Sequence, residues 1–223
     1  LISTFGLVGR TATLHMHCHA DLERILTPQL EYFCKGMAYN VEFHLINPTK
    51  AEVVYEDRSV TVSSIPLRHR IPTCGFLFAE KPTPNHIIRD MIDFYKVPVF
   101  ELNRIKNGED YVLPDGTVIP NNRLTTPPAP PRSYAYCSDT IFHRPIIEQI
   151  KGVNLLFHEA TFAQCDAQRA KETFHTTAMQ AGEIARDADV KQLLIGHFSA
   201  RYEDENILLQ EARSVFPNTL LAK

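Results

Sequence analysis

The chain has 223 residues, 44% of them hydrophobic and 22% charged, with a formal net charge of −3, which is ordinary for a globular chain able to bury a sizeable core as one large domain. No apolar run approaches the roughly 20 residues of a membrane-crossing helix, no signal-peptide pattern opens the chain, and the acidic balance excludes a general nucleic-acid binder unless a local basic face supplies the contact. Five cysteines, Cys18, Cys34, Cys74, Cys137 and Cys165, lie scattered without C-x-x-C spacing, so the sequence signals neither a disulfide framework nor a thiolate zinc site, and a reducing cytoplasm fits.

In chain order, Thr11 to Met16 reads as a strand and Leu22 to Phe33 as an amphipathic helix complicated by Pro28. Between them His17-Cys18-His19-Ala20-Asp21 has metal-motif spacing. Val41 to Leu45 and Val53 to Tyr55 are short strand candidates, followed by Ser59 to Ile65 and Gly75 to Ala79. The stretch from Lys81 to Pro131 is crowded with prolines and carries a turn at Pro114-Asp115-Gly116. Its expected elements are a helix from Asn85 to Tyr95 and a hairpin pairing Tyr111-Val112-Leu113 with Thr117-Val118-Ile119. A proline-punctuated insertion of this kind reads as functional or mobile rather than core. The last third alternates helix and strand over Ile146 to Ile150, Val153 to Phe157, Thr177 to Ala188, Gln192 to Ile195 and Asn206 to Val215, which favours layered α/β packing.

Three polar residues sit at the ends of β-type runs: His69 after Val60 to Leu67, Asp139 after Ser133 to Cys137, and His197 after Gln192 to Ile195. Neutral imidazoles and a carboxylate that can bridge two ions are the ligand set of a zinc hydrolase. Taken singly, each has a duller reading, a histidine satisfied by a carbonyl or Asp139 as a helix N-cap. The remaining histidines, His44, His86 and His143, show no partner pattern and read as structural or exposed.

The segments Leu67-Arg68-His69-Arg70 leading into Cys74-Gly75-Phe76, Tyr136-Cys137-Ser138-Asp139-Thr140, Leu156-Phe157-His158-Glu159-Ala160-Thr161-Phe162, Phe174-His175-Thr176-Thr177 and His197-Phe198-Ser199-Ala200-Arg201-Tyr202 together resemble ribonuclease Z of the bacterial type. That family comprises metallo-β-lactamase-fold endonucleases that mature the 3′ end of transfer RNA precursors. The resemblance runs in order from Leu1 to Lys223. It implies an αββα sandwich lacking its N-terminal strands, a single domain over residues 1–223 with an inserted arm over 81–131 that grips the transfer RNA body. The family's His-x-His-x-Asp-His motif belongs upstream of Leu1-Ile2-Ser3-Thr4. The resemblance therefore implies that the chain as given lacks ligands and is inactive. It also implies an ordinary strand, turn and helix around His17, His19 and Asp21, with those histidines structural or at the surface.

The implied chemistry is a zinc-dependent endoribonuclease that removes the 3′ trailer of precursor tRNA through a metal-activated hydroxide, in the cytoplasm and as a homodimer. His69, Asp139 and His197 would be metal ligands for two zinc ions, with manganese or iron also compatible with imidazole and carboxylate. His175, oriented by Glu159, would act as the non-ligating catalytic histidine, its carboxylate partner favouring the cationic donor. Arg201 would contact phosphate, since guanidinium matches that geometry. Arg68, Arg70 and Arg132 are further candidates for a basic face. Two alternatives stay open at this level: another hydrolase of the same fold acting on small esters, sulfates or lactams, and a non-catalytic partner subunit.

Overall fold

The computed structural model describes residues 1–222. In chain order the elements are α1 (Ile2–Leu7), β1 (Leu14–Cys18), α2 (Ala20–Phe33), β2 (Val41–Leu45), β3 (Val53–Glu56), β4 (Val60–Pro66), β5 (Cys74–Glu80), β6 (His86–Ile87), α3 (Arg89–Phe94), α4 (Leu102–Lys106), β7 (Tyr111–Val112), β8 (Val118–Ile119), α5 (Asn121–Leu124), β9 (Thr125–Thr126), β10 (Ser133–Cys137), β11 (Leu155–Glu159), α6 (Ala167–Thr173), α7 (Ala178–Asp187), β12 (Leu193–Gly196), α8 (Asn206–Val215) and β13 (Thr219–Leu221). Among the described residues no helix is long and apolar enough to cross a membrane. The chain forms two compact units, one made of Leu1–Asp57, Thr61–Ala79 and the residues from Ser133 onward, the other of Arg58–Val60 and Glu80–Arg132.

The first unit is built on a seven-stranded sheet of order β13-β12-β11-β10-β5-β4-β3. Strands β10 to β13 are mutually parallel, and β5 joins β10 antiparallel. Gly75 permits that join, because a Cβ there would collide with the Tyr136 carbonyl oxygen. One face of the sheet, carrying Ala135, Cys137, Leu156, His158, Leu193 and Ile195, is buried in the main core with α7 and α8. The opposite face is an aromatic ladder in which Tyr136 stacks on Phe157 at 4.8 Å and Phe78 on Tyr134 at 6.0 Å. Alternation along each strand produces this division.

Helix α7 shows why the sequence folds locally as it does. Thr177 is its N-cap: the hydroxyl accepts from the Gln180 amide and the Gln180 side chain accepts from the Thr177 amide, a complete capping box. Ala178, Ala181, Ile184 and Ala185 then form the buried stripe. They face α8, where Leu208, Leu209 and Ala212 are buried, and Gly182 lets the helices approach, since a Cβ would lie 2.9 Å from the Ala212 carbonyl oxygen. The region before Asp57 is much looser. Neither α1 nor α2 contains a buried residue, and β1 and β2 make a separate two-stranded parallel sheet.

Helix α2 runs from Ala20 through Pro28 to Phe33, longer than the proline suggests. Strand β1 begins later than expected, at Leu14, because the Arg10 guanidinium binds the carbonyls of Ala12 and Thr13. The expected helix from Asn85 to Tyr95 is shorter. Asn85 hydrogen-bonds Asn121, and His86–Ile87 pairs with Thr125–Thr126 as strand, so the helix starts at Arg89. That second unit has its own small core of Ile92, Val97, Ile105, Ile119 and Leu124.

Candidate metal centre

Three adjacent parallel strands deliver the site at their carboxyl ends, where ligands bind in open α/β sheets. Asp139 follows β10, Glu159 ends β11 and His197 follows β12. His69 enters from the loop after β4, and His175 from the turn after α6. Three non-glycine residues with left-handed backbone cluster here: Asp139 at φ 55°, His197 at φ 60° and Phe174 at φ 62°. Such residues cost about 1 kcal/mol or more each and persist where the surroundings over-determine them, often at functional sites. Phe174 ends α6 in this conformation, which turns its carbonyl toward His69 and leads His175 into the site.

Hydrogen bonds hold each imidazole through the same ring nitrogen. His69 donates Nδ1–H to the Phe174 carbonyl at 3.0 Å, and His175 donates Nδ1–H to the Glu159 carboxylate at 3.0 and 3.1 Å. His197 Nδ1 lies 2.8 Å from Thr161 Oγ1. The Thr161 hydroxyl proton goes to Glu159 Oε2 at 2.6 Å, a charged acceptor, so the oxygen accepts from His197. With Nδ1–H so committed, the neutral tautomer of each ring leaves Nε2 as a bare lone pair. His197 Nε2 points at Asp139 Oδ1 from 3.3 Å, and two acceptors at that distance repel unless a proton or a cation lies between them.

This donor set fits a metal. Ligand atoms of His69 and Asp139 lie within 4.8 Å of each other and of His175, and Asp139 also neighbours His197 Nε2, so the one carboxylate is within reach of both His69 and His197. Among the described residues, Asp139 receives no backbone or hydroxyl hydrogen bond. Glu159 is the opposite case. Fully buried, it accepts from the amides of Thr140 at 2.6 Å and Thr176 at 3.1 Å, from Thr161 and from His175. Its lone pairs are spent, so the grouping of Glu159, His175 and His197 is a hydrogen-bond network and not a second ion pocket.

The titration behaviour follows. Burial pushes the Glu159 carboxyl up, but the bonds from His175, Thr161 and the Thr176 amide outweigh it and hold the group below its usual range. The Glu159 hydrogen bond raises the His175 pKa, partly opposed by burial. A cationic His175 is a proton donor and a poor ligand. Burial lowers His158, whose Nδ1 meets the Glu159 carbonyl while Nε2 has no partner, so it is a neutral core residue.

Arg201 stands at the rim with its guanidinium 5.1 Å from the Phe162 ring centroid and 3.5 Å from Asp166. Phe162 in turn touches the His175 ring. Arg132 pairs with Glu80 at 2.7 Å, whereas Arg68 and Arg70 form no ion pair among the described residues. A volume of about 370 Å³ lined by Ile141, Phe142, Lys171 and Gln180 opens beside His175. Sequence reasoning missed the roles of Thr161 and the Phe174 carbonyl. Thr161 was in view two residues beyond Glu159, but its function depends on partners 36 residues away. The histidines His17 and His19 lie apart from this centre, on β1 and its helix junction.

No family model matches the chain. It is 74% identical to the ribonuclease Z of Phocaeicola vulgatus over 223 residues, all of this chain and 72% of that protein. The ribonuclease Z of Parabacteroides distasonis is 58% identical over all of this chain and 73% of its own length. Among solved structures, human tRNase Z, short form, superposes with a TM-score of 0.61 at 18% identity, over 99% of this chain and 68% of that one. The metallo-β-lactamase-fold protein YhfI of Bacillus subtilis gives 0.59 at 16% identity, over 100% and 67%. The fold is therefore that of the metallo-β-lactamases, and the chain belongs to the ribonuclease Z family.

Proposed function

We propose that this chain carries the catalytic centre of an endoribonuclease that removes the 3′ trailer of precursor tRNA. The observation that carries the reading is the convergence of His69, Asp139, His175 and His197 from four separate segments, with the Nδ1 of all three imidazoles tied to protein acceptors. A hydrogen bond behind the ring of this kind fixes tautomer and orientation for metal ligation.

His69, Asp139 and His197 would hold the metal, zinc in our reading, and Asp139 would be the ligand shared between two ions. A metal bound there supplies Lewis acidity and an activated water for attack on a phosphodiester. Asp139 and the imidazoles position that centre. The His175 side chain, cationic beside Glu159, donates a proton from Nε2 to the departing ribose oxygen and leaves a 3′ hydroxyl. Glu159 keeps the ring turned and charged. Arg68 and Arg70, which form no ion pair among the described residues, and Arg201 offer guanidinium groups to the RNA phosphates and so answer the net charge of −3. Residues 81–131 serve as the arm that grips the tRNA body, in a cytoplasmic homodimer.

Alanine at Asp139 or His197, made in a protein of full family length, should lower cleavage of a precursor tRNA by about 1,000-fold or more. Turnover within a few fold of wild type would refute the assignment. Deleting 97–124 should collapse RNA processing while a small phosphodiester is still hydrolysed, which separates this reading from a small-molecule hydrolase of the same fold.

A further inference from the structure

We propose that His15, His44 and Glu42 form a second metal site, on the exposed face of the β1–β2 sheet, that takes a borderline divalent transition ion such as zinc. The parallel register sets His15 opposite Glu42 and His17 opposite His44. Because side chains alternate along a strand, these four residues share one face, while Met16 and Phe43 share the other.

One ligand atom from each of the three residues lies within 4.8 Å of the others. His15 Nδ1 lies 2.9 Å from His44 Nε2, and Glu42 oxygens lie 3.6 Å from each of those nitrogens. Zinc–ligand bonds of about 2.1 Å at tetrahedral angles separate the ligand atoms by about 3.4 Å. The nitrogen pair is closer than that, and the two Glu42 contacts, Oε2 to His15 and Oε1 to His44, are slightly longer, so side-chain rotation on an unchanged backbone brings one atom of each residue to a common ion. The donor set of two imidazoles and a carboxylate is the one zinc takes where it keeps an open coordination position. His17 stacks on His44 at 4.7 Å with an interplanar angle of 17°, so it buttresses the ligand ring; Tyr55 meets His17 edge-on.

The site would also have structural value. A two-stranded sheet is marginal alone, and the helices around β1 and β2 bury no residue. An ion bridging the two strands would tie the least packed region of the first unit together. The site is separate from the catalytic centre and shares no residue with it.

The test uses zinc chloride alone and the full chain. In a variant with His69, Asp139 and His197 all changed to alanine, titration calorimetry at neutral pH should still find one zinc ion per chain in the micromolar range, and saturating zinc should raise the Tm. Adding His15→Ala and His44→Ala should weaken binding at least 100-fold and remove the thermal shift, and Glu42→Gln should weaken it by about 10-fold. Circular dichroism of each variant without zinc verifies that the fold persists. His15→Ala with His44→Ala, made in a protein of full family length, should leave RNA cleavage unchanged. No zinc binding by the triple variant, or binding that survives loss of His15 and His44, would overturn the proposal.

Discussion

The chain holds two groups of histidines in opposite ways. At the proposed catalytic centre every imidazole is braced through Nδ1 by a residue that is itself packed: a helix-ending carbonyl, a buried carboxylate and a buried hydroxyl. On β1 and β2 the rings lean on one another and on Glu42, with side-chain exposures of 54% for His15 and 38% for His44. The first group is oriented before any ion or substrate arrives; the second keeps rotamer freedom that an ion would have to remove. Preorganisation is thus a property of what lies behind the ligand, and it can be broken from behind.

The largest effect should come from Glu159, which braces His175 while accepting two backbone amides and a hydroxyl. In Glu159→Gln, one acceptor oxygen becomes a donor that faces the Thr140 amide, the Thr176 amide, Thr161 or His175. Removing one partner from such a buried pair costs about 3–5 kcal/mol, measurable by urea unfolding. The pH profile sharpens the point. His175, with its raised pKa, contributes stability that is full below its unfolded value near 6.5 and fades as pH rises through the folded value. Glu159, with its depressed pKa, contributes stability that is full above its unfolded value near 4.5 and fades as pH falls through the folded one. The gap between wild type and Glu159→Gln should therefore be widest from about pH 4.5 to 6.5 and narrow on both sides. A gap independent of pH would show that the pair is not ionised.

Thr161→Val should come next. Valine keeps the shape but removes the oxygen that accepts from His197 Nδ1 and the proton that binds Glu159. The ring then loses its tautomer choice, and metal affinity or kcat/KM on precursor tRNA should fall about 10–100-fold. Equal activity would mean that strand geometry alone orients His197.

How much of this was legible in the sequence follows from the range of the forces involved. Strand β2 and helix α8 emerge with the expected limits, Val41–Leu45 and Asn206–Val215; in α8 local periodicity and burial agree, with Leu208, Leu209 and Ala212 buried. His69, Asp139 and His197 were visible as polar residues after apolar runs, and the in-order motifs supplied the rest. Asn85 to Ile87 was misread as helix because the contacts that extend it come from Asn121 and from Thr125–Thr126, far along the chain. His44 looked partnerless for the same reason: nothing local to Val41–Leu45 reveals that a parallel register brings His15 and His17 beside it. Backbone conformation at Phe174 was equally hidden, since a bulky residue at positive φ is held by its surroundings and carries no local signature.

The smallest expected effect completes the contrast. Without metal, His15→Ala removes an exposed ring whose partners are a half-buried histidine and a carboxylate at 3.6 Å. Water replaces those contacts at little cost, and substitutions at such surfaces usually shift stability by no more than about 0.5 kcal/mol. His69→Ala empties a place between the Phe174 carbonyl and the His175 ring, 5.1 Å away, and leaves that carbonyl without its donor. It should therefore cost about 1–3 kcal/mol even in metal-free protein. Parallel urea titrations of the two variants in a chelator decide the matter: equal losses would mean that the histidines of the proposed catalytic centre are no better braced than those on β1 and β2.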